Sequence, residues 1–416
     1  MPQPGLHHTP KYRVPAVTVY LLYQFITGIL FWMFFCVNTL FFIQDIHLDA
    51  LQLVLVGTAL EAAIFVFEIP TGVVADLYSR RLSILAGTTI IGIGTLITGS
   101  TRNFLWIAVG QILWGIGYTF TSGALDAWIS DEIGTDKAAA AFLRGGQSYN
   151  LGAVAGILAA TGLSIFGFNK PILASGVIMI LFSLALSTFM PEEHFHPVSQ
   201  TDRMTRKQLS HTLKKTFELT RLRPILGIIL VIGLVFGLYS EGFDRLWIAR
   251  LLEKFDLPSV VFFPTTGWIG MLYAGSMLAG ALAARITGKY IHRTGSTKME
   301  IQLLPVCLAI ILSLVAFSLT ESLILAGGLY CFIMGMRTVC SALYTAWANQ
   351  QAESDIRATV LSTTSQADAI GQILGGPISG VAARNFGLHS GLLVSAILLI
   401  PNLLLLGISH LRNRKD

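Results

Sequence analysis

Long apolar runs recur along the whole chain, and no other feature restricts its fold so tightly. A bilayer core about 30 Å thick is crossed by roughly 20 residues of helix, because lipid offers the backbone no hydrogen-bonding partner. A window of about 19 residues gives twelve spans, near 14–43, 50–75, 82–100, 104–130, 146–167, 170–190, 224–247, 263–287, 300–319, 322–348, 358–383 and 389–410. With 53% hydrophobic and 12% charged residues, the chain carries about half the roughly 25% of charged residues usual in soluble domains. The expected fold is therefore an all-α membrane protein. The first run is too long for a signal-peptide core and no small-residue cleavage site follows it, so it reads as a retained span.

Residues 191–223 form the one long polar segment and carry Arg203, Arg206, Lys207, Lys214, Lys215, Arg221 and Arg223. They divide the chain into a six-span bundle over 1–190, a cytoplasmic linker over 191–223 and a second six-span bundle over 224–416. Of the 28 Lys and Arg, six fall on the outer side (Arg102, Lys170, Arg245, Arg250, Lys254 and Arg384), Arg285 and Arg337 fall within spans, and the other 20 fall inside. By the positive-inside rule both termini are expected in the cytoplasm. The same scattering of the positive charge argues against a nucleic-acid partner.

Enzyme chemistry finds no support. The nine histidines lie mostly in the N-terminal tail, loops and chain ends, with no metal-ligand repeat or nucleophile elbow. Cys36, Cys307, Cys331 and Cys340 sit in apolar runs and read as small hydrophobes, so no metal site is expected. No P-loop pattern is present, which leaves a proton gradient, and no cofactor, as the energy source.

The halves repeat. A shift of 219 residues places Gln147, Gly152 and Gly156 on Gln366, Gly371 and Gly375, and Ala127-Trp128 on Ala346-Trp347. A shift of 216 places Thr71-Gly72 on Thr287-Gly288, so the stretch EIPTGVVADLYSRR at 68–81 has a degenerate partner in TGKYIHRTGSTK at 287–298. Internal repeats of this kind build many transporters. In 68–81, Pro70 and Gly72 let the end of span 2 pack closely or bend, Asp76 is placed to cap another helix, and Arg80 and Arg81 anchor the boundary.

Gly72-Val-Val-Ala-Asp76-Leu-Tyr-Ser-Arg80-Arg81 resembles the loop signature G-x-x-x-D-R-x-G-R-[RK] of the major facilitator superfamily, with Leu77 in place of Arg and Ser79 in place of Gly. The twelve spans, the central linker and the second copy extend the resemblance over the whole chain. It implies two six-helix pseudo-repeat bundles. It also implies that Asp76 meets the cytoplasmic end of span 11 while Arg80 bridges to an acid at the end of span 4, for which Asp131 is placed. Gly72, Asp76, Arg80, Arg81 and Asp131 would then form a cytoplasmic gate that holds in one state and breaks in the other.

Charges inside spans cost roughly 2.5–3.5 kcal/mol each on insertion scales, so they should face water or a partner. Glu61 and Glu68 share a face of span 2, and Asp368 lies at a similar depth in span 11. Glu61, Asp368 and Asp126 are the candidates for proton coupling. For Glu61 the competing role is a hydrogen-bonded structural acid, and for Asp126 a solvated or gate residue. Arg337 is expected to be the counter-ion of Asp368. Glu241, Asp244 and Arg245 read either as an interfacial cap with a local ion pair or as an outer gate, and Trp247 as an interfacial anchor.

The resemblance implies a cavity walled by spans 1, 4, 7 and 10. Heptad spacing nominates Gln24, Phe31 and Asn38; Gln111, Tyr118 and Ser122; and Tyr330, Arg337, Ser341 and Tyr344, joined by Glu241 and Asp244. Within the superfamily the chain is most similar to the drug and tetracycline antiporters, on the small residues Gly152, Gly156 and Gly162 of span 5 and on Gly375-Gly376-Pro377 of span 11. It differs from them at Ala153, where they have proline, and at Gln111, where they have arginine. The expectation is a monomeric, proton-coupled exporter of amphipathic small molecules in a bacterial cytoplasmic membrane. The alternatives are an importer or facilitator of a sugar or organic anion, whose charge Arg337 would bind, and a receptor that transports nothing.

Overall fold

The computed structural model describes residues 14–195, 224–257, 264–294, 299–352 and 357–412. Twelve long helices follow one another: α1 (Ala16–Phe35), α2 (Ala50–Leu77), α3 (Arg80–Ser100), α4 (Phe104–Ile133), α5 (Thr135–Ser164), α6 (Asn169–Phe189), α7 (Pro224–Lys254), α8 (Thr265–Thr294), α9 (Met299–Leu319), α10 (Leu323–Gln351), α11 (Arg357–Phe386) and α12 (Leu388–Arg412). Ten are long and apolar enough to cross a membrane; α5 and α11, equally long, are more polar. The basic part of the expected linker lies outside the described residues.

Side chains set the helix ends. Asp49 accepts a hydrogen bond from the Gln52 backbone N–H (2.8 Å) and donates its own N–H to the Gln52 side chain (3.0 Å), a capping box that starts α2. Between α2 and α3 only Tyr78 and Ser79 intervene. The Ser79 hydroxyl accepts from the Leu82 N–H at 2.9 Å, so the residue that replaces the signature's glycine caps α3. Glu192 completes the cap by accepting from the Ser79 hydroxyl (2.6 Å) and the Arg81 N–H (2.9 Å).

The repeat is visible as packing. α1 lies on α5, α2 and α3 on α4, and α3 on α6; α7 lies on α11, α8 and α9 on α10, and α9 on α12 in the same pattern. A side-chain carbon at Gly152 or Gly156 would strike the carbonyls of Phe25 or Ile29 on α1, and one at Gly371 or Gly375 those of Leu234 or Leu238 on α7. Small residues admit this close backbone approach, and it shelters the two most polar helices.

Ala16 and Arg412 mark one end of the bundle, called here the termini side. At the far side the halves converge: α2 packs on α11 and α7, and α5 on α8. Gly376 abuts Val54 and Thr58, Gly380 abuts Leu51 and Val54, and Gly270 abuts Ile157. Toward the termini side Gly72, Gly123, Gly146 and Gly288 show no such contact between the halves among the described residues. The molecule is closed on the far side and open on the termini side.

Candidate functional site: two cavity walls of unlike chemistry

α7, α10 and α11 enclose a cavity of about 600 Å³ lined by Ser240, Asp244, Arg337, Tyr344, Asp368 and Gln372 among others. A second, of about 640 Å³, lies between α1, α2, α4 and α5 and is lined by Gln24, Phe31, Glu61, Tyr118, Ser122, Asp126 and Tyr149, with Arg245 reaching in from α7. The second wall is aromatic. Trp114 stacks on Tyr118 (centroids 5.6 Å) and meets Phe31 and Phe35 at 5.2 and 5.4 Å.

The first wall is organised by an ion pair. Arg337 donates two hydrogen bonds to Asp244, at 2.5 and 2.9 Å, and its guanidinium lies 5.9 Å from the Tyr239 ring centroid. The expected pairing of Arg337 with Asp368 is thus incorrect. Asp368 instead accepts from Gln372 Nε2 at 2.7 Å, one turn along its own helix. Asp244 has no such local partner because Arg245 donates its Nε–H to Glu241 (2.8 Å), and the planar guanidinium fork of Arg337 meets both Asp244 oxygens.

Arg245 and Trp247 also depart from expectation. α7 continues to Lys254, which puts Arg245 inside the helix rather than on the outer side, and its i,i+4 pair with Glu241 is buried, Glu241 being 2% exposed. Trp247 does not anchor at an interface: it is buried and stacks on Tyr330 with centroids 4.0 Å apart. Tyr330 in turn packs against Phe243 and stands among the buried core rather than in the cavity wall.

Two more nominated residues turn away from the cavity. Gln111 is buried and donates to Thr98 Oγ1 at 3.3 Å, between α3 and α4. Asn38 is buried where α1 breaks into a short turn and a π-helical turn (Phe41–Asp45), and its amide oxygen accepts from the Thr39 N–H at 2.7 Å. Heptad spacing holds only while a helix stays regular and free of its neighbours. Asp126 does line the cavity, at the end of a chain in which Gln24 donates to Tyr20 (3.1 Å) and Tyr20 to Asp126 (3.5 Å). Glu61 has no hydrogen-bonding or ion-pair partner among the described residues. Glu68 is exposed, one face but two turns nearer the termini side.

Of the gate residues, Arg80 pairs with Asp131, as expected, and lies 3.7 Å from Asp76. Arg81 donates to the Ser187 carbonyl. Asp76 is half exposed and meets Arg80 within its own half, while the side chains at the start of α11, its expected partner, lie outside the described residues. Gly72, expected to pack closely, faces open space.

The repeat explains the contrast between the walls. The 219-residue shift puts Arg337 at the place of Tyr118 and Asp368 at the place of Tyr149. Gly28 packs on the Tyr149 carbonyl as Gly237 packs on that of Asp368. Applied to the cavity, this shift could have pointed to Tyr149, which reading the residues one span at a time missed.

Helices in two matching groups around a polar-lined cavity open at one end are the build of a membrane transporter. The chain belongs to the Major Facilitator Superfamily, whose sequence model matches residues 20–373. It is 23% identical over 364 residues, covering 86% of this chain and 87% of the relative, to the uncharacterized MFS-type transporter YxaM of Bacillus subtilis (strain 168). Its fold is similar to that of a mutant of the nucleoside transporter NupG, with a TM-score of 0.76 at 15% identity over 95% of this chain and 99% of that one. It is equally similar, at a TM-score of 0.76 and 16% identity over 95% and 97%, to a bacterial homolog of the human lysosomal transporter Spinster. The protein is a multi-pass membrane transporter and not an enzyme.

Proposed function

We propose that the protein is a proton-coupled secondary transporter that exports amphipathic small molecules, neutral or cationic, by alternating access. The observation that carries this reading is the charge balance of the cavity walls. Both arginines are already committed, Arg337 to Asp244 and Arg245 to Glu241. Glu61, Asp126 and Asp368 remain without a cationic partner, in walls that also offer an aromatic cluster. Unpaired carboxylates in a low-dielectric site take up protons or attract cations. An organic anion finds no free guanidinium there, which argues against the anion-import alternative.

On this reading the termini side is cytoplasmic, in keeping with the Lys and Arg bias, and the structure is its inward-open form. Asp76, half exposed beside Arg80, is then the released part of the cytoplasmic gate. A thermal-shift panel of size-matched cationic, neutral and anionic amphipaths, run on the purified protein, tests the charge preference. Cations and neutral compounds are expected to raise the midpoint and anions to leave it unchanged. Stabilisation by anions alone would overturn the reading.

A further inference from the structure

α4 ends at Ile133 and α5 starts at Thr135, so one residue, Gly134 at φ 83°, turns the chain at the termini end of the bundle. The corner leaves a pocket of about 460 Å³ walled by Glu132 and Ile133 of α4, Lys137, Ala140 and Arg144 of α5, and Val17 in the first turn of α1. It shares no lining residue with the two cavities. Its acid is engaged and its cations are not. The Glu132 side chain, 5% exposed, accepts the N–H of Glu193 (2.8 Å) and of His194 (3.1 Å) on one oxygen and lies 3.5 Å from His194 Nδ1 on the other. Lys137 and Arg144 have no hydrogen-bonding or ion-pair partner among the described residues. No side chain caps the start of α5, and the positive end of the helix dipole adds to the potential of a cation in the first turn. Asp136 offsets this in part from the same turn, but does not line the pocket.

Beyond the cations the same surface becomes apolar. Lys137, Arg144, Leu151 and Leu158 follow one another at seven-residue intervals, which sets them along one side of α5. Leu151 is 67% exposed and Leu158 68%. Tyr149, two residues before Leu151 and so about 200° away around the helix, lines the aromatic cavity. The stripe therefore faces outward, to the hydrocarbon. Anchoring at the membrane boundary would account for a lysine and an arginine at this depth, but it requires no pocket between three helices and no apolar track leading out of it.

We propose that this pocket binds the headgroup of an anionic phospholipid, with Lys137 and Arg144 on the phosphate and the acyl chains along Leu151 and Leu158. Basic pockets between helices at the cytoplasmic boundary suit such headgroups. α1, α4 and α5 belong to one half of the molecule, so the pocket persists when the halves rock. The lipid is a fixed ligand of that half in both access states, and its binding is independent of the direction of transport.

The test reads bound lipid and not flux. Delipidated full-length protein in neutral detergent is titrated with phosphatidylglycerol or phosphatidylcholine, with native mass spectrometry counting the bound molecules, and the phosphatidylglycerol complex is then challenged with inorganic phosphate. Phosphatidylglycerol is expected to bind at least about tenfold tighter than phosphatidylcholine, and Lys137→Gln with Arg144→Gln to weaken it about thirtyfold, the loss for two cations facing an anionic lipid. Arg102→Gln with Lys170→Gln, which removes two exposed cations elsewhere, should bind as wild type does. Ala140→Phe, at an exposed position of the pocket wall, fills the space without altering charge; it should also weaken binding, and it serves if the double charge variant does not fold. Equal losses in the two pairs of charge variants, or wild-type affinity in Ala140→Phe, would overturn the site. Displacement of phosphatidylglycerol by millimolar inorganic phosphate would overturn the lipid as its ligand in favour of free phosphate.

Discussion

Arg337→Ala is expected to destabilise the protein by about 1–3 kcal/mol and to stop transport, because it leaves the Asp244 carboxylate in the cavity wall without its cation. The two-point contact between α10 and α7 defines that wall, and Tyr239 packs against the same guanidinium. Asp244→Ala should cost a similar amount for the mirror reason. A double replacement, Arg337→Met with Asp244→Leu, should recover most of the stability, since an apolar pair removes both desolvation costs. It should not recover flux. Thermal unfolding in detergent, together with transport in proteoliposomes, separates these outcomes. If the double variant is no more stable than Arg337→Ala, the pair is not the local source of the loss.

Gly72→Leu is expected to leave stability within about 0.5 kcal/mol of wild type and yet reduce transport at least about tenfold. In the open form nothing lies within 4 Å of a side chain at this position, so a leucine is accommodated. Closure should be another matter. The closed far side shows how near α2 and α11 come when they meet, with Gly376 and Gly380 against Val54, Thr58 and Leu51. The same two helices must approach at the termini side for access to alternate, and a bulky residue at Gly72 would wedge them apart. Wild-type flux in this variant would mean that α2 does not close on α11 at that depth.

Much of this architecture was legible in the sequence because its causes are local or periodic. Hydropathy located all twelve helices, and the small-residue spacing at Gly152, Gly156, Gly371 and Gly375 is the pattern close helix packing requires, although it does not name α1 and α7 as the partners. The Arg80–Asp131 contact followed from the resemblance to the family signature. The errors concern choices that only packing makes. Arg245 reads as the end of a span until its i,i+4 partner Glu241 is seen to cancel its charge, which lets α7 run on to Lys254. Arg337 had two acids within reach, and the preference for Asp244 depends on Gln372 having already satisfied Asp368. Heptad arithmetic placed Gln24, Phe31, Tyr118 and Tyr344 on the cavity correctly. It failed for Asn38, where α1 breaks, and for Gln111 and Tyr330, whose helices are packed against neighbours at that level.

The central claim, that an unpartnered Glu61 carries the coupling proton, is tested most directly by proton release from inverted membrane vesicles energised by respiration. A pH-sensitive dye is followed while cationic and neutral amphipaths are added, with wild type compared against Glu61→Gln. The account predicts a compound-dependent collapse of the gradient in wild type and none in the variant. Equal collapse in both would contradict it and remove Glu61 from the proton path.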